Sequence, residues 1–80
     1  MPSVSLQILH DTLKNLWNKD IYLQTETHQL KGKLVFVSKL TPPGTPYVSI
    51  QDILIGKQKV ILETIGQVWL RNKCLWRSHS

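Results

Sequence analysis

The 80-residue sequence predicts a mostly β fold, in which one N-terminal α-helix precedes a five-stranded, strongly bent antiparallel small barrel of the SH3-like kind. Apolar residues recur with helical spacing only before residue 18. From residue 20 onward, short runs alternate apolar and polar residues between clusters of Gly, Pro and polar residues, as antiparallel strands do. One helix followed by short strands with tight turns is typical of a small barrel.

The helix is predicted over residues 4–17. Its apolar stripe consists of Leu6, Leu9, Leu13 and Leu16. These leucines recur at steps of three and four residues, so they lie on one face of a helix. Ser3 or Ser5 can cap the start of this helix, and residues 18–20 (Asn-Lys-Asp) end it.

The barrel is predicted over residues 20–77, followed by a polar tail at 78–80, so that residues 1–80 form one domain. The five predicted strands are residues 20–25, 30–38, 47–53, 60–70 and 73–77. Gly32 lies inside the second strand and indicates a bend or a close backbone approach, and Gly66 indicates a kink in the fourth. Residues 39–46 hold three of the four prolines and a glycine, which predicts a loop.

The composition limits the compartment and the cofactors that we expect. Cys74 is the single cysteine, so an internal disulfide is excluded and a reducing, intracellular compartment is expected, in the cytoplasm or the nucleus. The histidines are scattered and have no Cys or acidic neighbours at ligand spacing. We therefore expect no metal and no cofactor.

The formal net charge is +5 and the isoelectric point is about 9.7. A basic excess favours nucleic acid or another anionic surface as partner, although a basic surface also serves solubility alone. No apolar run approaches the length of about 18 residues that a membrane span needs, so no membrane partner is expected. The first ten residues lack a basic stretch and a small-residue cleavage site, so no signal peptide is expected either.

An enzymatic activity is not expected. The sequence offers no Ser/Cys–His–acid arrangement and no pair of carboxylates placed to share a site. The acidic residues, each in a different predicted element, are Asp11, Asp20, Glu26, Asp52 and Glu63.

Three segments follow one another in a specific order. Residues 13–35 (LKNLWNKDIYLQTETHQLKGKLV) lead from an apolar helix end through a basic turn into alternating strands and Gly-x-Leu. Residues 47–53 (YVSIQDI) form an apolar-x-apolar-x-Asp strand, and residues 65–76 (IGQVWLRNKCLW) place an Arg between two apolar strands. These segments resemble the two sequence motifs of the Sm-like (LSm) family of RNA-binding proteins, over roughly residues 13–76.

The resemblance implies a ring subunit that binds single-stranded RNA as a scaffold or chaperone in RNA processing. Strand four of one subunit would pair with strand five of the next, in a hexameric or heptameric ring of identical or different Sm-like subunits. The alternative is a small-barrel protein-interaction module that keeps the ring without the RNA pocket.

The family's RNA pocket is matched only in part. Arg71 carries over directly, Tyr47 stands where the family has Asn, and Ser38 stands where it has Asp. Thr45 falls near the stacking position, and Asn72 follows Arg71 where the family has Gly. The RNA-binding candidates are therefore Lys39, Thr45, Tyr47, Arg71 and Asn72. Two other interpretations stay open: Arg71 and Asn72 as a plain polar hairpin tip, and Tyr47 packed on the loop prolines.

Asn72 also supports the expected turn between the last two strands. Such a turn often needs a residue with positive φ, which Gly adopts freely and Asn tolerates next best. We therefore predict positive φ at Asn72.

The last two predicted strands carry apolar residues on both faces, including two tryptophans. If both faces were exposed to solvent, they would promote aggregation. We therefore expect the N-terminal helix or a neighbouring subunit to cover them. The predicted subunit interface consists of Val68, Trp69, Leu70, Cys74, Leu75 and Trp76.

Overall fold

The computed structural model describes residues 4–40 and 44–78, and within them it is mostly β. Helix α1 spans Val4–Asn15, and a short 3-10 turn, Leu62–Thr64, interrupts the strands that follow. The six strands are β1 Asp20–Thr25, β2 Gln29–Val37, β3 Tyr47–Asp52, β4 Gly56–Ile61, β5 Ile65–Leu70 and β6 Lys73–Arg77. All pair antiparallel, in the order β4-β3-β2-β1-β5-β6. The mostly β class with an N-terminal helix is confirmed and fits a small barrel-like fold.

The prediction of five strands was wrong, because residues 60–70 are not one strand. Leu62 and Ile65 are both buried although they lie three residues apart, a spacing that a strand of period two cannot bury on one face. The 3-10 turn between them allows both side chains to be buried. The Thr64 Oγ1–H donates to the Ile61 carbonyl at 2.7 Å and stabilises this turn. As a result β4 pairs with β3, while β5 crosses to the other side of the sheet and pairs with β1.

Helix α1 ends at Asn15, two residues earlier than predicted. Asn18 adopts φ +71°, a left-handed conformation that Asn tolerates, and this reverses the chain. Its backbone N–H then donates to the Leu34 carbonyl at 2.7 Å, and the Leu34 N–H donates to the Lys19 carbonyl at 3.0 Å. The segment after the helix is thereby hydrogen-bonded to β2 before β1 begins.

The hydrophobic core lies between α1 and one face of the curved sheet. Its side chains are Leu9, Leu13, Leu16, Ile21, Leu23, Leu34, Val37, Val48, Ile50, Val60, Leu62, Ile65 and Val68. Helix α1 packs against β2, β6 and the 3-10 turn. The His10 Nε2 atom lies 2.7 Å from the Ser38 carbonyl oxygen, which ties the helix to the end of β2. Within the described residues, no helix is long and apolar enough to cross a membrane.

Gly32 marks the point where β2 passes from its pairing with β1 to its pairing with β3. Lys33, the next residue, pairs with Asp20 of β1 and with Gln51 of β3. A Cβ atom at Gly32 would lie 2.9 Å from Ile50 Cγ2 and closer still to the Gln51 carbonyl oxygen. The predicted close backbone approach is therefore confirmed, and it requires glycine here.

Candidate nucleic-acid interface

The face of the sheet opposite the core is called the outer face here. Because side chains alternate along a strand and paired residues share a face, the register assigns its members. Leu23, Leu34 and Val48 point into the core, so their neighbours on each strand point outward. The outer face carries Tyr22, Lys31, Lys33, Phe36, Tyr47, Gln51, Lys57, Lys59 and Trp69.

Three aromatic rings lie in a row at one end of this face, and we call Trp17, Phe36 and Tyr47 the aromatic platform. The Trp17 and Phe36 ring centroids lie 6.0 Å apart at 84°, an edge-to-face contact. Phe36 and Tyr47 follow at 5.5 Å and 36°. Trp17 and Phe36 are each 39% exposed, so the platform offers ring surface to the solvent.

A β-bulge brings Phe36 to the outer face. The register between β2 and β3 shifts between Leu34 and Phe36, which leaves Val35 as the extra residue. Leu34 and Val37 are thereby both buried although they lie three residues apart, and Phe36 points away from the core. Without the bulge, strict alternation would turn Phe36 inward.

Hydrogen bonds hold the Trp17 indole and the backbone of Tyr47. The Trp17 Nε1–H donates to the carbonyl of the bulged Val35 at 3.1 Å. The Tyr47 N–H donates to Ser38 Oγ at 2.8 Å, and the Ser38 N–H donates to the Tyr47 carbonyl at 2.9 Å. The platform is therefore held by the end of the helix, the bulge in β2 and the start of β3.

Lysines surround the platform along the neighbouring strands. Lys59 of β4 places its Nζ 4.4 Å from the centroid of the Tyr47 ring, within cation–π distance. Further along the sheet, Lys33 and Lys57 flank Gln51 in one row across three strands, and both are exposed. On β1, the residue paired with Lys33 is acidic: it is Asp20.

The far end of the outer face forms an open groove of about 870 Å³. Its floor includes Tyr22 and Trp69, which face each other across β1 and β5. The groove is also lined by Asp20, Ile21, Lys31, Gly32, Gln51, Asp52, Ile53, Leu54 and Arg71. The Trp69 Nε1–H donates to Gln67 Oε1 at 2.9 Å, which fixes the indole in place.

Comparisons with protein-family models, with curated proteins and with solved structures found no match. The likeness to the Sm-like family therefore stays a prediction.

The five predicted RNA-binding residues do not form one cluster. Tyr47 belongs to the platform, with Lys39 and Thr45 exposed on the chain on either side of the β2–β3 loop. Arg71 lines the groove instead, together with Gln51 at the far end of β3. Gln51 lies four residues beyond Tyr47, which corresponds to about 13 Å along a strand. The strand register separates Arg71 from Tyr47. Lys33 pairs with both Asp20 and Gln51, so the start of β1 lies level with the end of β3 and not with its start at Tyr47.

The turn between β5 and β6 differs from its prediction in one respect. Leu70 pairs with Lys73, so Arg71 and Asn72 form a two-residue hairpin loop. Arg71 adopts φ +56°, whereas Asn72 is not in the positive-φ region. The predicted positive φ at Asn72 was wrong, because the turn places the left-handed residue at the first loop position, an arrangement that primed hairpin turns permit.

The predicted interface residues divide between the core and the surface. Val68 is completely buried in the core of the single chain. Leu70, Leu75 and Trp76 pack partly against the core, and α1 packs against β6. Cys74 and Trp69 are half-buried, and Trp69 faces the groove. The helix therefore provides part of the cover that the sequence required for these strands.

Sequence reasoning missed the contribution of Trp17 and Phe36 to a site. Trp17 is the last residue of the predicted helix and Phe36 lies inside the second predicted strand, so neither position marks a site residue. Their exposure depends on the early end of the helix and on the bulge at Val35, neither of which has a clear sequence signal. Within residues 4–40 and 44–78, no group of three His, Cys, Asp or Glu side chains is placed to hold a metal ion.

Proposed function

We propose that this chain binds single-stranded nucleic acid, RNA in the first place, on the outer face of its sheet. The observation that carries this proposal is the aromatic platform with Lys59 over the Tyr47 ring. Bases stack on the exposed ring surfaces, and the lysines of the neighbouring strands attract the phosphates. Stacking platforms combined with a positive surface are the usual means of binding single strands.

The platform favours single strands over duplexes. Bases in a duplex are already stacked on one another, whereas those of a single strand can be splayed onto side chains. Each base that stacks on an aromatic ring contributes about 1–3 kcal/mol by alanine substitution in other proteins. Because every base has a π face, the platform supports binding with little sequence preference. A uridine-specific pocket is not part of this proposal, since Arg71 and Tyr47 lie apart.

Electrostatics supplies the second part of the binding energy. Lys31, Lys33, Lys57 and Lys59 are all exposed on the outer face. Neutralising phosphates releases counterions, so the affinity should fall steeply as the salt concentration rises. The role that follows is that of an RNA scaffold or chaperone within a ribonucleoprotein, without chemistry on the RNA.

Assembly into a ring of Sm-like subunits remains part of the proposal. Within the described residues, β4 and β6 are the outermost strands of the sheet, so each has one free edge. A free edge invites pairing with another chain, and a β4-to-β6 contact repeated around an axis closes a ring. Native mass spectrometry of the purified chain, with and without a short RNA, would measure the subunit number. A well-folded monomer under both conditions would contradict the ring.

Fluorescence anisotropy with labelled U-rich and A-rich oligonucleotides tests the binding proposal. We expect binding of both oligonucleotides at low salt and a loss of affinity in the double variant Phe36→Ala/Tyr47→Ala. The matched control is Ile53→Ser/Leu54→Ser, which removes two exposed apolar side chains at the other end of β3. If the wild-type chain fails to bind either oligonucleotide at low salt, the protein-interaction module becomes the better interpretation.

A further inference from the structure

Three consecutive aliphatic side chains project into solvent at the turn between β3 and β4. Ile53 is 99% exposed, Leu54 93% and Ile55 68%. We call these three residues the apolar tip. Turns usually carry Gly, Asn, Asp, Ser or Pro, because these residues suit the backbone conformations of a turn or hydrogen-bond to its backbone. Among the described residues, the hydrophobic core and the side chains packed against it include none of these three.

The conformation of the apolar tip is fixed by its own turn. The Asp52 carboxylate accepts hydrogen bonds from the Leu54 N–H at 2.7 Å and the Ile55 N–H at 3.1 Å. Gly56, with φ +97°, then leads the chain into β4. Asp52 is thus occupied in holding the turn, and the three side chains are presented outward by a defined backbone.

The surroundings of the apolar tip combine aromatic rings with charges of both signs, since Asp20 and Asp52 line the groove together with two basic residues. Ile53 and Leu54 form one wall of the groove whose floor includes Tyr22 and Trp69. Lys31 and Arg71 line the same groove. Tyr and Trp rings are favoured at the boundary between lipid and water, where one side of the ring is apolar and the other wet. Cations at this depth meet the anionic headgroups of a bilayer.

We propose that the apolar tip inserts into the interfacial layer of an anionic lipid bilayer. The tip supplies aliphatic side chains for the acyl boundary, Tyr22 and Trp69 lie beside it at headgroup level, and Lys31, Arg71 and Lys57 attract the anionic lipid. This is surface binding and needs no spanning helix. It differs from the sequence expectation of no membrane partner, which considered only long apolar runs.

The shape of the region favours a bilayer over a protein partner. The apolar tip is a convex turn of three residues, and a standard protein interface buries about 800 Å² on each partner. Three aliphatic side chains alone fall well short of that area, whereas a bilayer accepts a small convex insertion wherever charge brings it close.

Vesicle co-sedimentation of the full chain tests the proposal. We expect the wild-type chain to sediment with vesicles of phosphatidylcholine and phosphatidylglycerol, and at least tenfold less with vesicles of phosphatidylcholine alone. Ile53→Ser/Leu54→Ser should reduce sedimentation with the anionic vesicles by tenfold or more. The matched control is Ile8→Ser, which removes an aliphatic side chain that is 52% exposed on α1. This control should sediment like the wild type.

Quenching by brominated lipids tests insertion directly. In Leu54→Trp the added indole should lie within the bilayer, so lipids brominated along the acyl chain should quench its fluorescence more than that of the wild-type chain. Absence of sedimentation, or equal sedimentation of wild type and Ile53→Ser/Leu54→Ser, would overturn the proposal. So would a wild-type oligomer that dissociates in this variant and shows no affinity for vesicles, since the apolar tip would then contact a second copy. Phe36→Ala/Tyr47→Ala should keep its vesicle binding, so the two proposals can fail independently.

Discussion

The aromatic platform and the apolar tip are two exposed apolar regions at opposite ends of β3. The rings of the platform contact one another, and Trp17 and Phe36 are each 39% exposed. In the apolar tip, Ile53 and Leu54 are more than nine-tenths exposed. The two regions therefore differ in how much of each side chain the chain itself already covers.

This difference in coverage indicates two kinds of partner. The platform exposes part of the Trp17 and Phe36 rings and suits a flat partner such as a base. Aliphatic side chains have no flat face to offer, and their free energy falls most when they leave water altogether. The position of lysines near both regions adds attraction to a polyanion in each case.

The largest expected effect is the loss of RNA affinity in Phe36→Ala/Tyr47→Ala. Removing two stacked rings should cost about 2–6 kcal/mol of binding free energy, if each ring stacks on a base. Anisotropy titrations at one low salt concentration measure this loss. Ile53→Ser/Leu54→Ser should bind RNA within about twofold of the wild type. Equal losses in both double variants would erase the distinction between the two regions.

The next largest effect is expected for Gly32→Ala, at the bend of β2 beside the groove. Its Cβ would collide with the backbone of Gln51, and overpacking of this kind costs about 1–3 kcal/mol of unfolding free energy. The matched control is Gly66→Ala in β5, where the Cβ would lie 3.4 Å from the Gln24 carbonyl oxygen. Urea denaturation of both variants at one protein concentration decides the matter. Equal stability of the two would mean that β2 and β3 do not approach closely at Gly32.

A smaller effect on stability separates the two residues of the β5–β6 turn. Arg71 already places a Cβ atom at φ +56°, so Arg71→Val adds only the crowding of a β-branched side chain. It should lower the unfolding free energy by less than the roughly 1–2 kcal/mol of a full left-handed penalty. Asn72→Val has no such strain and should change stability by less than about 0.5 kcal/mol. Arg71→Gly should be tolerated, since glycine adopts positive φ freely. If Asn72→Val lowers the unfolding free energy and Arg71→Val does not, the residue with positive φ is Asn72 and not Arg71.

The smallest effect concerns the lysine over the platform. Lys59→Gln removes the cation–π contact with Tyr47, worth about 0.5–1 kcal/mol at an exposed site. If Lys59 also contacts a phosphate, the slope of log affinity against log salt should become shallower by about 0.7. Lys73→Gln at the start of β6 lies away from the platform and should leave the slope unchanged. A slope that stays the same in Lys59→Gln would remove this lysine from the phosphate path.

The sequence predicted the regular parts of the fold well. Strand β1 begins and ends where its alternation does, at Asp20 and Thr25, and Gly32 lies at a close approach as predicted. The 3-10 turn was missed because Leu62 and Ile65 were read within one continuous strand. The bulge at Val35 was missed because Leu34 and Val37 are three residues apart. Several local structures can bury two residues at that spacing, and the sequence does not distinguish among them.

The candidate site was predicted only in part for a related reason. Tyr47 was predicted as an RNA-binding residue through the resemblance, and the structure places its ring beside Phe36. Its partners Trp17 and Phe36 come from other parts of the chain. Arg71 was grouped with Tyr47 through the resemblance, whereas the register of the sheet separates them. Register depends on the pairing of whole strands, and a short motif does not specify it.

The even number of strands has a consequence for how copies of this chain can join. In the antiparallel sheet of six strands that residues 4–40 and 44–78 form, the two edge strands β4 and β6 run in opposite directions. Head-to-tail addition of a second copy therefore continues the antiparallel alternation across the junction, whereas an odd number of strands would force a parallel junction. Every copy added in this way keeps the same polarity, so all apolar tips lie along one rim of the assembly. Several apolar tips on one rim would contact the same bilayer together. The assembly would then bind the bilayer more tightly than a single copy does.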